Sequence, residues 1–169
     1  KLDVVITNST AAKISIYRNT SSSGTISFAS RIDYTSGTGP FYVSINDIDG
    51  DGKPDIVVTN SSVSSFSVFR NTSNLGSISF ASKLDFTTGA NPYGLAVGDI
   101  NADGKPDVVT ANYGVAYGSN GLSIFKNTST VGSISFAGVV NLSPPGYPWG
   151  VSMGDLDGDG KPELAVANW

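Results

Sequence analysis

Asp47, Asp49, Asp51 and Asp55 place four carboxylates within nine residues, with Gly50 and Gly52 between them. Carboxylates packed this densely repel one another unless a cation lies among them. Alternate residues of a tight loop can converge on one centre, and calcium takes roughly six to eight oxygen ligands from carboxylates, carbonyls and water. The side chains of Asp47, Asp49, Asp51 and Asp55 are candidate ligands, with the carbonyl of Lys53 as a fifth. Gly50 and Gly52 allow the positive φ angles that a curling loop needs, and Pro54 stiffens its exit.

The same plan recurs twice. Asp99, Asn101, Asp103, Lys105 and Asp107 form a second loop, and Asp155, Asp157, Asp159, Lys161 and Glu163 a third. The reading is three calcium sites. Asn101 keeps an oxygen but gives up a charge, and Ala102 replaces the first glycine, so the second site is expected to be the weakest. Glu163 reaches further than Asp and suits bidentate binding. An EF-hand would need Glu at loop position 12 and flanking helices. Here that position is Val58, Thr110 and Val166 in β-rich segments, so the EF-hand fails. Magnesium would ask for a stricter octahedron and more water.

The chain must position these loops by repetition. Successive loops start 52 and then 56 residues apart, and so do Arg18-Asn19-Thr20, Arg70-Asn71-Thr72 and Lys126-Asn127-Thr128. The four extra residues fall between Asn112 and Phe125. Each repeat reads as four short strands, rich in Val, Ile, Phe and Thr and broken by Gly, Pro and Asn. The first spans 41–46, 93–98 and 149–154, and the metal loop follows it. The second spans 55–60, 107–112 and 163–168. The third spans 14–18, 66–70 and 122–126, and the fourth 25–34, 77–86 and 133–142. Four antiparallel strands every fifty-odd residues are a β-propeller blade. The expected fold is all-β: antiparallel four-stranded blades of a propeller, about three of them, forming an incomplete ring.

Lys1 to Asn8 aligns with Lys53 to Asn60, so Asp3 matches the last ligand of a loop. The expected division is a partial blade over 1–39, blades over 40–91 and 92–147, and a partial blade over 148–169. Such a set would belong to a longer array. Alternatively it would self-assemble end to end, the 149–154 strand of one copy completing the leading piece of the next. The chain opens on a strand-like segment, so any leader is expected to have been removed.

Composition narrows the function. There is no His and no Cys, which removes the usual general base, thiolate chemistry and the commonest zinc ligand. No nucleophile–base constellation is visible, so no catalytic residue is assigned and the chain is not expected to be an enzyme. Eleven of the 14 acidic residues lie in the three loops, so the net charge of −4 is mostly ligand charge. Lys and Arg are scattered without a basic stripe, which argues against nucleic acid. No apolar run suits a transmembrane helix, so no membrane insertion is expected.

Partners are expected on the face opposite the metal loops, where the fourth-to-first connections and second-to-third turns gather. That face carries Tyr113 and Tyr117 in the insertion, and Tyr147 and Trp149, the candidate ligand-binding residues for protein or carbohydrate. Phe41, Tyr93 and Trp149 are equivalent by repeat, which favours packing for these three; Tyr113 and Tyr117 are balanced between the two roles. Asn8, Asn19, Asn60, Asn71, Asn127 and Asn141 stand in Asn-x-Ser/Thr triplets, glycan acceptors in a secreted eukaryotic chain.

The segments Tyr93-Gly94-Leu95-Ala96-Val97-Gly98-Asp99 and Trp149-Gly150-Val151-Ser152-Met153-Gly154-Asp155, each leading into Asp-x-Asp/Asn-x-Asp-Gly-Lys-Pro-Asp/Glu, resemble the FG-GAP and VCBS repeats, which include the propeller of integrin α subunits. Tyr42 and Asn46 depart from that pattern, standing where the other repeats have Gly. The resemblance implies structural calcium between the first and second strands of each blade. It also implies a secreted or cell-surface setting, in bacterial proteins among others, and a role in adhesion, assembly or ligand display. Alternatives are a lectin-like carbohydrate-binding propeller and the propeller portion of a polysaccharide lyase-like enzyme.

Overall fold

The computed structural model describes residues 1–114 and 121–169. Thirteen strands are present among them: β1 Val4–Asn8, β2 Lys13–Tyr17, β3 Ile32–Thr35, β4 Pro40–Asn46, β5 Asp55–Asn60, β6 Ser65–Phe69, β7 Leu84–Thr87, β8 Pro92–Gly98, β9 Asp107–Asn112, β10 Gly121–Phe125, β11 Val140–Leu142, β12 Pro148–Gly154 and β13 Glu163–Asn168. The only helical piece among the described residues is a 3-10 turn at Ser61–Val63. The strands form four antiparallel meanders: β1-β2-β3, β4-β5-β6-β7, β8-β9-β10-β11 and β12-β13. These are propeller blades, and they do not close a ring among the described residues.

Strand alternation explains how the sheets stack. Along β5, Ile56 and Val58 point to a core with Ile14, Ile16 and Phe69, between the first and second sheets. Val57 points the other way, to a core with Ile48, Phe66, Val68, Leu95, Val108 and Phe125, between the second and third. A third core joins Val109, Ala111 and Leu122 to Val151, Met153, Leu164 and Val166. A sheet packed on both faces has no polar side, which is why all of β5 and β9 is buried.

The first strands run side by side: β4 packs on β8, and β8 on β12. They approach closely. A Cβ on Gly94 would lie 2.9 Å from Gly150 Cα and 3.0 Å from Trp149 O, so only Gly fits there. At the equivalent position in β4, Tyr42 is half exposed.

The fourth strands differ from expectation. The segment 77–86 is two pieces: Asn74 pairs with Ser77 and Asn71 with Phe80, whereas β7 pairs Val68 with Leu84. The register slips by one residue between them, a β-bulge. The other repeats show the same slip, from Asn19–Phe28 to Ile16–Ile32 and from Asn127–Phe136 to Ile124–Val140. A serine hydroxyl stitches the inner piece. Ser73 Oγ accepts from Ser79 N–H at 3.0 Å and donates to Ser79 O at 3.2 Å.

Candidate metal centres

The loop 47–55 is wound by its own carboxylates. Asp47 Oδ1 accepts from Gly50 N–H at 2.9 Å and Asp51 N–H at 3.1 Å, and its Oδ2 from Gly52 N–H at 2.8 Å. Asp51 Oδ1 accepts from Lys53 N–H at 2.8 Å. Gly50 and Gly52 sit at φ +75° and +84°, the left-handed region this winding requires.

Asp55 opens β5 and ties the loop to its blade. Its Oδ2 accepts from Ile48 N–H at 2.9 Å, and its Oδ1 from Asn71 N–H at 2.7 Å. Asp55 is fully buried. Burial pushes its carboxyl above the ordinary Asp value, the two N–H donors pull it back in part, and the charges of Asp49 and Asp51 push it up again. A site whose own charges disfavour one another is one that a cation relieves.

Asp49 faces the neighbouring blade. Its Oδ1 accepts from Asp51 N–H at 3.1 Å, and its Oδ2 from Gly132 N–H at 2.8 Å, at the tip of the turn between β10 and β11. Oxygens of Asp47, Asp49 and Asp55 lie within 4.8 Å of one another. Asp51 is not in that trio. Three hard oxygen donors converging in a partly buried loop fit a divalent cation of the calcium type.

The third loop repeats the geometry with more exposure. Oxygens of Asp155, Asp157 and Glu163 lie within 4.8 Å. Asp155 accepts from Gly158 and Gly160 N–H at 2.7 and 2.9 Å, and Glu163 Oε2 from Leu156 N–H at 2.7 Å. Asp159 stays outside the trio and accepts from Lys161 N–H at 2.8 Å.

The second loop keeps the winding and carries an amide, Asn101, where the other two have the second acid of the trio. Asp99 accepts from Asp103 N–H at 3.1 Å and Gly104 N–H at 2.7 Å. Buried Asp107 accepts from Ile100 N–H at 3.1 Å and Asn127 N–H at 2.8 Å. Lys105 N–H donates to Asp103 Oδ1 at 3.1 Å. The positions that match the two trios are Asp99, Asn101 and Asp107, two acids and one amide oxygen. Ala102 takes φ +59° without being glycine. Burial raises the Asp103 carboxyl, but bonds from Lys126, Lys105 N–H and Asn101, with the Lys126 charge, outweigh it and hold the group below its ordinary value.

Reading the repeats for period alone missed what Asn19, Asn71 and Asn127 do. Each backbone N–H donates to the last acid of its loop, Asp3, Asp55 or Asp107, at 2.7–2.8 Å. Each Nδ2 donates to the carbonyl before that acid, on Leu2, Pro54 or Pro106, at 2.7–2.9 Å. The signal was present in the recurring Asn-Thr pair at constant spacing. Asn60 and Asn112 were missed as a different device. Asn60 is buried, accepts from Ser36 Oγ and Gly37 N–H at 2.9 and 3.1 Å, and donates to Ser65 and Ser67 Oγ at 3.1 and 2.8 Å. Asn60 and Asn127 are therefore internal braces, inaccessible as glycan acceptors in the folded chain.

On the opposite face the rings gather. Tyr93 lies 4.7 Å from Phe41 and 4.6 Å from Trp149, between ring centroids. Tyr113 lies 5.2 Å from Tyr147 and 5.7 Å from Trp149, and Trp169 is 6.1 Å from Trp149. Phe41 and Trp149 pack on their neighbours yet stay 41% and 43% exposed, so the equivalent positions form a rim rather than a sealed core. Tyr117 lies outside the described residues. No described helix is long and apolar enough to cross a membrane.

The model of the FG-GAP-like repeat family matches residues 1–58, 47–110 and 112–166. No curated protein matches the chain.

Proposed function

This chain belongs to the FG-GAP-like repeat family, and from that premise we propose that it is a calcium-braced extracellular repeat module for adhesion, assembly or ligand display, without catalysis. The observation that carries the reading is the convergence of Asp47, Asp49 and Asp55, matched by Asp155, Asp157 and Glu163. In each loop the first, second and last acids bring oxygens together while they also hold backbone N–H groups, and the third Asp takes one N–H outside the trio. The carbonyls of Lys53 and Lys161 and water would supply the remaining oxygens. The ion's role is structural: it neutralises the loop and pins the hairpin between first and second strands. Outside the cell even a site of roughly 10⁻⁴ to 10⁻³ M affinity would be filled. Differential scanning calorimetry tests it: excess chelator should lower the melting temperature and added calcium restore it. Unchanged melting in chelator would refute structural calcium.

A second reading concerns the ligand. The ring cluster of Phe41, Tyr93, Tyr113, Tyr147, Trp149 and Trp169 favours carbohydrate on the face away from the loops, since flat exposed rings accept the apolar face of a sugar. Quenching or shift of tryptophan fluorescence across a glycan panel, abolished by Trp149→Ala, would support it. A panel without any response would remove it.

A further inference from the structure

We propose that Asn127 and Gly132 of the repeat 92–147 are positioning residues for the metal centre of the repeat 40–91, and that an ion there in turn fastens the two blades together. This rests on the calcium reading of loop 47–55. Ile48 and Asp49 are the part of that loop that meets the next blade. Ile48 is 2% exposed and shares a core with Leu95, Val108, Phe125 and Ile134 of that blade. Its N–H donates to Asp55 Oδ2 at 2.9 Å, and its carbonyl accepts from Asn127 Nδ2 at 2.8 Å. Asp49 is 4% exposed; its Oδ1 accepts from Asp51 N–H at 3.1 Å and its Oδ2 from Gly132 N–H at 2.8 Å. One oxygen of this acid is thus aimed by its own loop and the other by the neighbouring blade. A carboxylate offers about four lone-pair sites, so both oxygens keep capacity for a cation while they hold these donors.

Among the described residues this bracing from another blade is particular to the first loop. Asp157, in the place of Asp49, is exposed and accepts from Asp159 N–H at 3.0 Å, within its own loop. Leu156, in the place of Ile48, is 75% exposed. Asn101 of the second loop accepts from Asp103 N–H at 2.9 Å, again within the loop. Asn71, the counterpart of Asn127, donates from Nδ2 to Pro54 O of its own repeat.

Asn127 serves as a brace because it is itself fixed. It is buried, its N–H donates to Asp107 Oδ1 at 2.8 Å and its Oδ1 accepts from Ser129 N–H at 2.8 Å. Its Nδ2 also donates to Pro106 O at 2.9 Å, so one amide proton stays in its own blade and the other crosses to Ile48. Gly132 is held at the tip of its turn by reciprocal backbone bonds between Thr130 and Ser133, at 3.0 and 2.7 Å. It takes φ +83°, which glycine reaches without strain. Groups that orient metal ligands govern affinity, and losing one typically costs roughly ten- to a hundred-fold. Coupling of this kind is reciprocal: a turn that raises the loop's affinity for an ion is held more firmly once the ion is bound.

Calcium titration of the full chain, followed by the backbone amide resonances of Gly50 and Gly158, reads the two loops separately, since these N–H groups donate to Asp47 and Asp155. Asn127→Ala should raise the Kd reported by Gly50 by roughly ten-fold or more and leave that reported by Gly158 unchanged. In the unaltered chain, saturating calcium should slow hydrogen exchange of the Gly132 amide by a similar factor. An equal change at both reporters, or none at Gly50, would overturn the proposal. If Asn127→Ala does not fold, the exchange of Gly132 in the unaltered chain decides, and a rate indifferent to calcium overturns the proposal in either case. A Gly50 resonance that does not respond to calcium at about 1 mM would instead overturn the calcium reading of loop 47–55, and this proposal with it.

Discussion

The repeats 40–91 and 92–147 build the same sheet from nearly the same plan, and they differ where charge matters. The first carries four acids in its loop, two glycines in the left-handed region and a carboxylate, Asp49, bonded across to the next blade. The second carries three acids, an alanine where the first has Gly50, and an ammonium against Asp103. Outer strands differ in the same sense. Asp85 accepts from Ser67 Oγ at 2.6 Å, whereas its counterpart Asn141 accepts from Ser123 Oγ at 2.9 Å. The hydrogen-bonded frame survives the loss of charge in both places. The backbone path of such a loop is thus set by N–H to carboxylate bonds, and those same bonds hold the acids of the first loop close to one another.

The largest expected difference comes from removing Asp49 against removing Asn101. In calcium, Asp49→Ala takes away a proposed ligand and leaves Gly132 N–H without its acceptor, a loss of about 2–3 kcal/mol. Asn101→Ala removes one neutral acceptor, that of Asp103 N–H, and should cost about 1 kcal/mol or less. Chemical denaturation of the two variants checks this, and equal losses would erase the distinction between the loops. A smaller effect follows from backbone strain. Ala102 sits at φ +59°, a conformation that costs a non-glycine residue on the order of 1 kcal/mol. Ala102→Gly should raise the denaturation midpoint by a corresponding amount, and Gly50→Ala should lower it. The smallest effect concerns pH. Burial raises the Asp85 carboxyl, but the Lys83 and Ser67 bonds outweigh it and hold the group below 3.8. The unfolded chain then binds that proton more tightly, so this stability is present above the ordinary Asp range and lost as pH falls through it. Asp85→Asn should flatten the acid limb by a few tenths of a kcal/mol, while Asn141, with no proton to gain, contributes nothing to such a limb in its own sheet.

Much of this was legible before any coordinates. Period, blade count and loop positions follow from residues that recur 52 and 56 apart. That the second loop carries the fewest acids is plain from Asn101. Other features were hidden because they depend on what meets what. Nothing near Asp49 in the chain announces Gly132, which lies 83 residues away. The break in each fourth strand was hidden by a hydroxyl such as Ser73 Oγ, which bonds a backbone partner six residues on and lets the register slip. The rims of Phe41 and Trp149 read as core from their equivalence, since repetition gives position along a strand but not which side of the sheet edge stays open.

The sequence by itself determined the all-β class, the repeat and the identity of the acids, because these are properties of composition and of local spacing along one chain. Only the tertiary structure decided which acids converge. Carboxylates within one loop bond their own N–H groups, and how close they stand to one another depends also on partners such as Asn71, Gly132 and Lys126. Those partners come from another strand or another blade, and folding alone brings them within hydrogen-bond reach.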